Sequence, residues 1–290
     1  MILSSPLSTF WPSCVAVLCY LLATLWPARA AEAGDAPHPD RSPAVAAIAM
    51  AIAWVAQALA IALDALALDD PTPGARFGFA PALSVTSWMV LMVYAIESRK
   101  LGQPTLRRLL SVLALVTVVL AWLFPGRSYA LSNGAWAPLH WLTGFASYGL
   151  IGAALLHAAL LQHAERRLRA GAGGSGQLPS PGRPAGHAMG MPLLRLESLT
   201  LRFVAAGFAM LTLTLLLGAA FATPWRWDHK TVFSVLSWGV FAILLIGRAR
   251  FGWRGRQAIR WLVAGSTLLL LAYVGSRFVL EVVLHRAAPH

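Results

Sequence analysis

Apolar runs of about twenty residues recur from one end of the chain to the other, separated by short polar or Pro- and Gly-rich stretches. Each run is long enough to cross the ~30 Å hydrocarbon core of a bilayer as a helix. The runs are continuous and rich in Leu and Ala, without the strict alternation of a membrane β-barrel strand. In lipid only helices or closed barrels satisfy the backbone. Helices are therefore predicted at approximately residues 8–26, 44–68, 80–98, 107–124, 138–162, 198–222, 231–247 and 260–283. The expected fold is an all-α integral membrane protein, a bundle of about eight transmembrane helices. The longest interruption, residues 164–196, contains Gly171-Ala172-Gly173-Gly174-Ser175-Gly176 and Pro179-Ser180-Pro181-Gly182-Arg183-Pro184 and reads as a flexible linker. No repeat at a fixed period is visible, so neither a solenoid nor an obvious inverted-repeat transporter is indicated.

Composition reinforces the pattern. The 290 residues are 58% hydrophobic and 12% charged, with a mean hydropathy of +0.66, a balance that leaves too little polar surface for water. A net charge of +12 would suggest nucleic acid in a water-soluble protein. Here the basic residues cluster in loops between apolar segments, which is a topology signal and not a nucleic-acid footprint. Cys14 and Cys19 stand five apart in the first segment, on different helical faces, and read as packing residues.

Charge bias orients the helices. Arg29 and Arg41, the loop carrying Arg99, Lys100, Arg107 and Arg108, the linker region from Arg166 to Arg202, and the loop from Arg248 to Arg260 place seventeen of twenty-three basic residues on one side. Arg76, Arg127, Arg226, Lys230, Arg277 and Arg286 fall on the other. The positive-inside rule makes the first side cytoplasmic and both termini non-cytoplasmic. The small-residue stretch Pro27 to Ala33 resembles a cleavage site but lacks a preceding basic region. Cleavage there would also turn the basic loops outward, so an uncleaved first helix is expected.

An ionisable residue in or beside a membrane is a functional lead. His38, His163 and His187 fall in cytoplasmic loops, and His157 lies about 25 Å from His140 along the fifth helix. His140, His229, His285 and His290 fall on the outer face, the first three beside helix ends. Two histidines can clamp a haem iron from opposite sides, and three can equally hold zinc or copper. The outer loop Thr223-Pro224-Trp225-Arg226-Trp227-Asp228-His229-Lys230 is dense in aromatic and charged groups. Trp225 and Trp227 are suited to stack on a flat apolar ligand whose carboxylates Arg226 and Lys230 pair with; the alternative is an interfacial aromatic belt with snorkelling cations. Asp64 is a proton or ion site, or a residue near the outer interface. Phe251-Gly252-Trp253-Arg254-Gly255-Arg256 most simply anchors a loop to headgroups.

The Trp225 to Trp238 stretch resembles the cytochrome c assembly family, the CcsA-like and HemX-like membrane proteins that handle haem. The family motif W-x-W-D-P-K-E followed by a further Trp is matched by Trp225, Trp227, Asp228, Lys230 and Trp238, with His229 in place of the proline and Thr231 of the glutamate. Gly252 to Arg256, Tyr273-Val274-Gly275, and His140 followed by Ser147-Tyr148 extend the likeness over roughly residues 80–285. The resemblance implies a domain over residues 80–290 preceded by two helices in residues 1–79. It also implies haem b at the outer face with His140 and His285 as iron ligands. The large external segment of bigger members is absent, as is a histidine in helix seven, which points to the short, HemX-like branch.

The expectation is thus a multi-pass inner (plasma) membrane protein that binds haem for cytochrome c assembly or haem handling. Lipid, other maturation proteins and apocytochrome c are its expected partners, and nucleic acid is not. The cofactor-binding set comprises His140, His285, His229, Trp225, Trp227, Asp228, Arg226 and Lys230. No catalytic triad, Walker loop or metalloprotease motif is visible, so handling is expected and not catalysis. The alternatives are a small-solute or metal-ion transporter and a cofactor-free scaffold or regulatory subunit.

Overall fold

The computed structural model describes residues 7–26, 42–66, 74–101, 104–130, 136–172, 187–188, 191–221 and 227–279. Eight long helices run through them: α1 (Leu7–Leu25), α2 (Ser42–Leu66), α3 (Phe79–Leu101), α4 (Pro104–Leu123), α5 (Ala137–Ala172), α6 (Leu193–Phe221), α7 (His229–Phe251) and α8 (Arg256–Leu270). The last continues through a π turn, Leu271–Gly275, into a single α turn, Ser276–Phe278. All eight segments are long and apolar enough to cross a membrane, and many of their Leu, Ile and Val side chains are exposed, as suits a protein whose solvent is lipid. The fold is that of an all-α multi-pass membrane protein.

Several limits differ from the hydropathy reading. α5 runs to Ala172 and α6 begins at Leu193, because residues 163–172 are mostly Ala, Leu, Arg and Glu, good helix formers without proline. The last helix starts at Arg256 and is widened at Leu271–Gly275. Two short antiparallel ladders also form. β1 (Gly74–Phe77) pairs with β2 (Arg127–Ala130), Gly74 opposite Ala130 and Phe77 opposite Arg127; β3 (His187–Ala188) pairs with β4 (Met191–Pro192). Segments this short carry no readable alternation, yet pairing satisfies backbone groups where helices have ended. The cleavage-like stretch 27–33, His38, most of the glycine- and proline-rich linker, and His290 lie outside the described residues.

The chain divides into two compact units: Met1–Met92 with Gly102–Ala137 and Arg277–His290, and Val93–Leu101 with Pro138–Ser276. In the first, the face of α1 bearing Ala16, Tyr20 and Ala23 and the face of α2 bearing Ala46, Ala49 and Ala53 are buried. Apart from Tyr20 these are alanines at helical spacing, as close helix approach in a membrane requires. The Tyr20 hydroxyl donates to Oε1 of Gln57 at 2.7 Å, and Nε2 of Gln57 donates toward the Ser84 carbonyl (3.1 Å), Ser84 Oγ (3.1 Å) and Ser87 Oγ (3.2 Å). Ser87 and Thr117 hydroxyls meet at 2.6 Å. Trp54 and Trp88 stack at 4.6 Å, and each indole N–H donates to the other's backbone carbonyl at 3.1 Å. Asp64 stands 3.7 Å from Arg76 in the β1 strand, so the charge that motivated an ion-site reading has a cationic partner.

In the second unit the core comprises Ile151, Ala154, Ala158, Val204, Leu211, Phe241, Leu244, Leu262 and Leu269, from α5 to α8. Phe241 is fully buried against Gly265, where a Cβ would come within 2.7 Å of its ring. The neighbouring Ser237 hydroxyl donates to the Gly265 carbonyl at 2.9 Å.

Candidate functional site

His140 lies in the first turn of α5, and its Nδ1 is 3.0 Å from the backbone carbonyl of Thr214 on α6. A carbonyl can only accept, so Nδ1 carries the proton in this bond, and in the neutral ring Nε2 holds the lone pair. The Thr214 hydroxyl is 3.0 Å from that of Thr143, which in turn donates to the Leu139 carbonyl at 2.9 Å. One turn along α6, Gly218 makes room for the ring: a Cβ there would stand 3.2 Å from Cε1 of His140.

The tryptophan-rich loop enters α7 through Asp228. Its backbone is extended (φ −83°, ψ 168°), and its carboxylate accepts from the Thr231 amide at 2.8 Å and the Thr231 hydroxyl at 2.7 Å, an N-cap arrangement. Burial works to raise the Asp228 carboxyl, but the two Thr231 bonds and the charges of Lys230 and His229 outweigh it and hold the group below the usual carboxylate range. The cap fixes where α7 begins, two residues before the predicted start. It puts His229 and Lys230 in the first turn, both exposed, as is Trp227 just before it.

Lys230 of α7 reaches α8. Its Nζ lies 5.6 Å from the centre of the Tyr273 ring, within cation–π range, and its charge acts on His140. Tyr273 belongs to the π turn, a feature often found at functional sites. The hydroxyl of Tyr148, two turns along α5 from His140, donates to the Leu269 carbonyl just ahead of that turn, a side-chain intrusion of the kind that accompanies a widened helix. Trp238, the later tryptophan of the motif, stacks on Phe208 at 5.6 Å and donates its indole N–H to the Thr212 hydroxyl at 2.9 Å.

Thr214 thus fixes the His140 ring, and Asp228 fixes the start of the helix that carries Lys230. Trp225, Arg226 and His285 lie outside the described residues. Among the described residues no three His, Cys, Asp or Glu side chains are grouped to hold a metal ion. His157 is buried, its Nδ1 2.7 Å from the Ala153 carbonyl of its own helix and its ring 5.1 Å from Phe203. Thr214, Gly218 and the Lys230–Tyr273 contact escaped the sequence reading. A threonine and a glycine four apart on the otherwise Leu-rich α6 are the available trace of the first two. A neutral imidazole whose Nε2 carries the lone pair can bind a Lewis-acidic metal.

A family model described as cytochrome C assembly protein matches residues 47–284, starting earlier than the likeness seen from the motifs. The chain is 28% identical over 243 residues to the inner membrane protein YpjD of Escherichia coli K12, covering 82% of this chain and 88% of that protein. It is 30% identical over 160 residues to the cytochrome c biogenesis protein CcsA of Prochlorococcus marinus MIT 9515, covering 50% and 51%, and 26% identical over 227 residues to CcsA of strain MIT 9313, covering 67% and 70%. With the tryptophan-rich loop, the His140 helix and the Tyr273 turn all inside the matched stretch, the chain belongs to the cytochrome c assembly protein family.

Proposed function

We propose that this chain binds haem b at the outer face of the inner membrane and takes part in cytochrome c assembly or haem handling, with apocytochrome c and other maturation proteins as partners. The observation that carries the reading is the His140 ring. With Nδ1 committed to the Thr214 carbonyl, Nε2 is left as a ligand whose orientation is set by a neighbouring carbonyl, the arrangement metal-binding histidines use.

The residues present fit the group. His140 would hold the iron through Nε2, with His285 as partner and His229 in reserve, and bound haem would supply a redox-active iron. Lys230, held over Tyr273, would pair with a propionate together with Arg226, and Trp225 and Trp227 would lie on the porphyrin face. Asp228 serves the site by fixing the start of α7. The names of the relatives YpjD and CcsA support the inner membrane and cytochrome c biogenesis, respectively.

An absorbance spectrum of the detergent-purified protein tests the reading. The wild type should retain haem with a low-spin spectrum. His140→Gly should lose haem or gain a high-spin contribution, partly reversed by added imidazole, while His187→Ala changes nothing. A haem-free wild type, or a His140→Gly protein with an unaltered spectrum and haem content, would overturn the assignment.

A further inference from the structure

The last span departs from α geometry at Leu271–Gly275, where the Ser276 amide reaches back five residues to the Leu271 carbonyl. Widened turns arise where a side chain enters the backbone ladder, and here that side chain is Tyr148 of α5. Its hydroxyl donates to the Leu269 carbonyl, and the backbone of Tyr273 bonds the same hydroxyl. A hydroxyl has a single hydrogen, already given to Leu269. Toward Tyr273 it therefore accepts, and the donor is the Tyr273 amide. In an unbroken α-helix that amide would donate to the Leu269 carbonyl directly. The Tyr148 oxygen thus stands inside one backbone hydrogen bond and replaces it with two.

The turn that this insertion opens carries the ring on which Lys230 rests. Tyr273 is its central residue, α7 packs against it, and Lys230 Nζ lies 5.6 Å from the ring centre. A five-residue turn points its central side chain in another direction than an α turn would, so the place of the Tyr273 ring depends on the widening. The ammonium sits at the end of a flexible four-carbon stem in an exposed residue, and the ring face restricts where it goes. Donation to a backbone carbonyl alone does not widen a helix. Ser237 donates to the Gly265 carbonyl at 2.9 Å, and α8 stays α-helical there.

We infer that Tyr148 is a positioning residue for Lys230: its hydroxyl, inserted between Leu269 and Tyr273, holds the turn open and keeps the Tyr273 ring against the ammonium. The inference rests on the haem reading for what Lys230 then does, which is to meet a carboxylate of the bound group. Tyr148 acts through the last span and not on the ligand.

The test uses the full chain in detergent. The sequence holds two lysines, Lys100 and Lys230, so reductive methylation with ¹³C-formaldehyde marks Lys230 with Lys100 as internal reference, and methylation keeps the charge. Methyl groups over an aromatic face resonate upfield. The Lys230 signal should lie upfield of Lys100 in the wild type and join it in Tyr273→Leu. Tyr148→Phe keeps the ring and removes the hydroxyl, and it should carry the Lys230 signal most of the way to the Lys100 position. Ser237→Ala, which removes another bond to a carbonyl of α8, should leave the signal in place. In haem-loaded protein Tyr148→Phe should weaken haem retention about tenfold, the weight of one hydrogen bond to a charged group, without changing the low-spin spectrum set by His140. An unshifted wild-type Lys230, a Tyr148→Phe signal that does not move, or an equal movement in Ser237→Ala overturns the inference. A Tyr148→Phe chain that does not fold makes the hydroxyl a structural one and overturns it too. A wild type that shows the expected methyl shifts but holds no haem ends the haem reading and leaves the positioning of Lys230 supported.

Discussion

At His140 a single backbone oxygen decides the chemistry, because the Thr214 carbonyl selects which ring nitrogen is protonated. Gly218 protects that choice. A methyl group there would sit 3.2 Å from the ring, close enough to need a small adjustment, and a branched side chain would drive the ring off its carbonyl. Gly218→Val should therefore replace the single Nδ1–H tautomer by a mixture, read from the ¹⁵N shifts of His140, while Gly218→Ala stays near wild type. A Val variant with an unchanged tautomer would show that the glycine has no part in it. His140 itself was legible in the sequence from its place beside a helix end and from the motif around it. Its partner was not, since Thr214 lies 74 residues away and hydropathy says nothing about which turns of two apolar helices meet.

The helices show what hydropathy can and cannot see. Apolar runs locate all eight, but their ends are set by polar chemistry. α7 starts at an aspartate cap, α5 outlasts its apolar segment on helix propensity alone, and the π turn follows a tyrosine hydroxyl supplied by another helix. The Asp228 cap makes a pH-dependent prediction. Its carboxyl is held below the usual range, so the stabilisation is complete above the ordinary aspartate value of about 3.9 and disappears as pH falls through the lower folded-state value. Hydrogen-exchange protection of the Thr231 amide should drop over that acid window. Asp228→Asn, which keeps an acceptor, should abolish the dependence, and Asp228→Ala should cost roughly 1 kcal/mol of local stability at neutral pH. Protection that stays flat in the wild type would mean the cap does not hold the turn.

Across the whole molecule, the proposal of an outer haem site takes the arginine-rich loops as cytoplasmic, by the positive-inside rule. A reporter active only outside the cytoplasm should give signal when fused after the 226–230 loop and none when fused within 171–176. The reverse would move His140 and Lys230 to the cytoplasmic face and end the proposal for an outer haem site. The number of spans and the charge bias could be read from composition along the chain. The ladder joining residues 74–77 to 127–130 could not, because pairing of two four-residue segments fifty residues apart leaves no local pattern. The polar knot of Tyr20, Gln57, Ser84, Ser87 and Thr117 bears on how the protein is made. Between helices in lipid the hydrophobic effect supplies no attraction, so such bonds and small-residue contacts provide the adhesion. Every member of the knot precedes residue 118, and it can therefore close while the ribosome is still translating the remainder. The early spans can then hold together in the membrane before the later ones arrive.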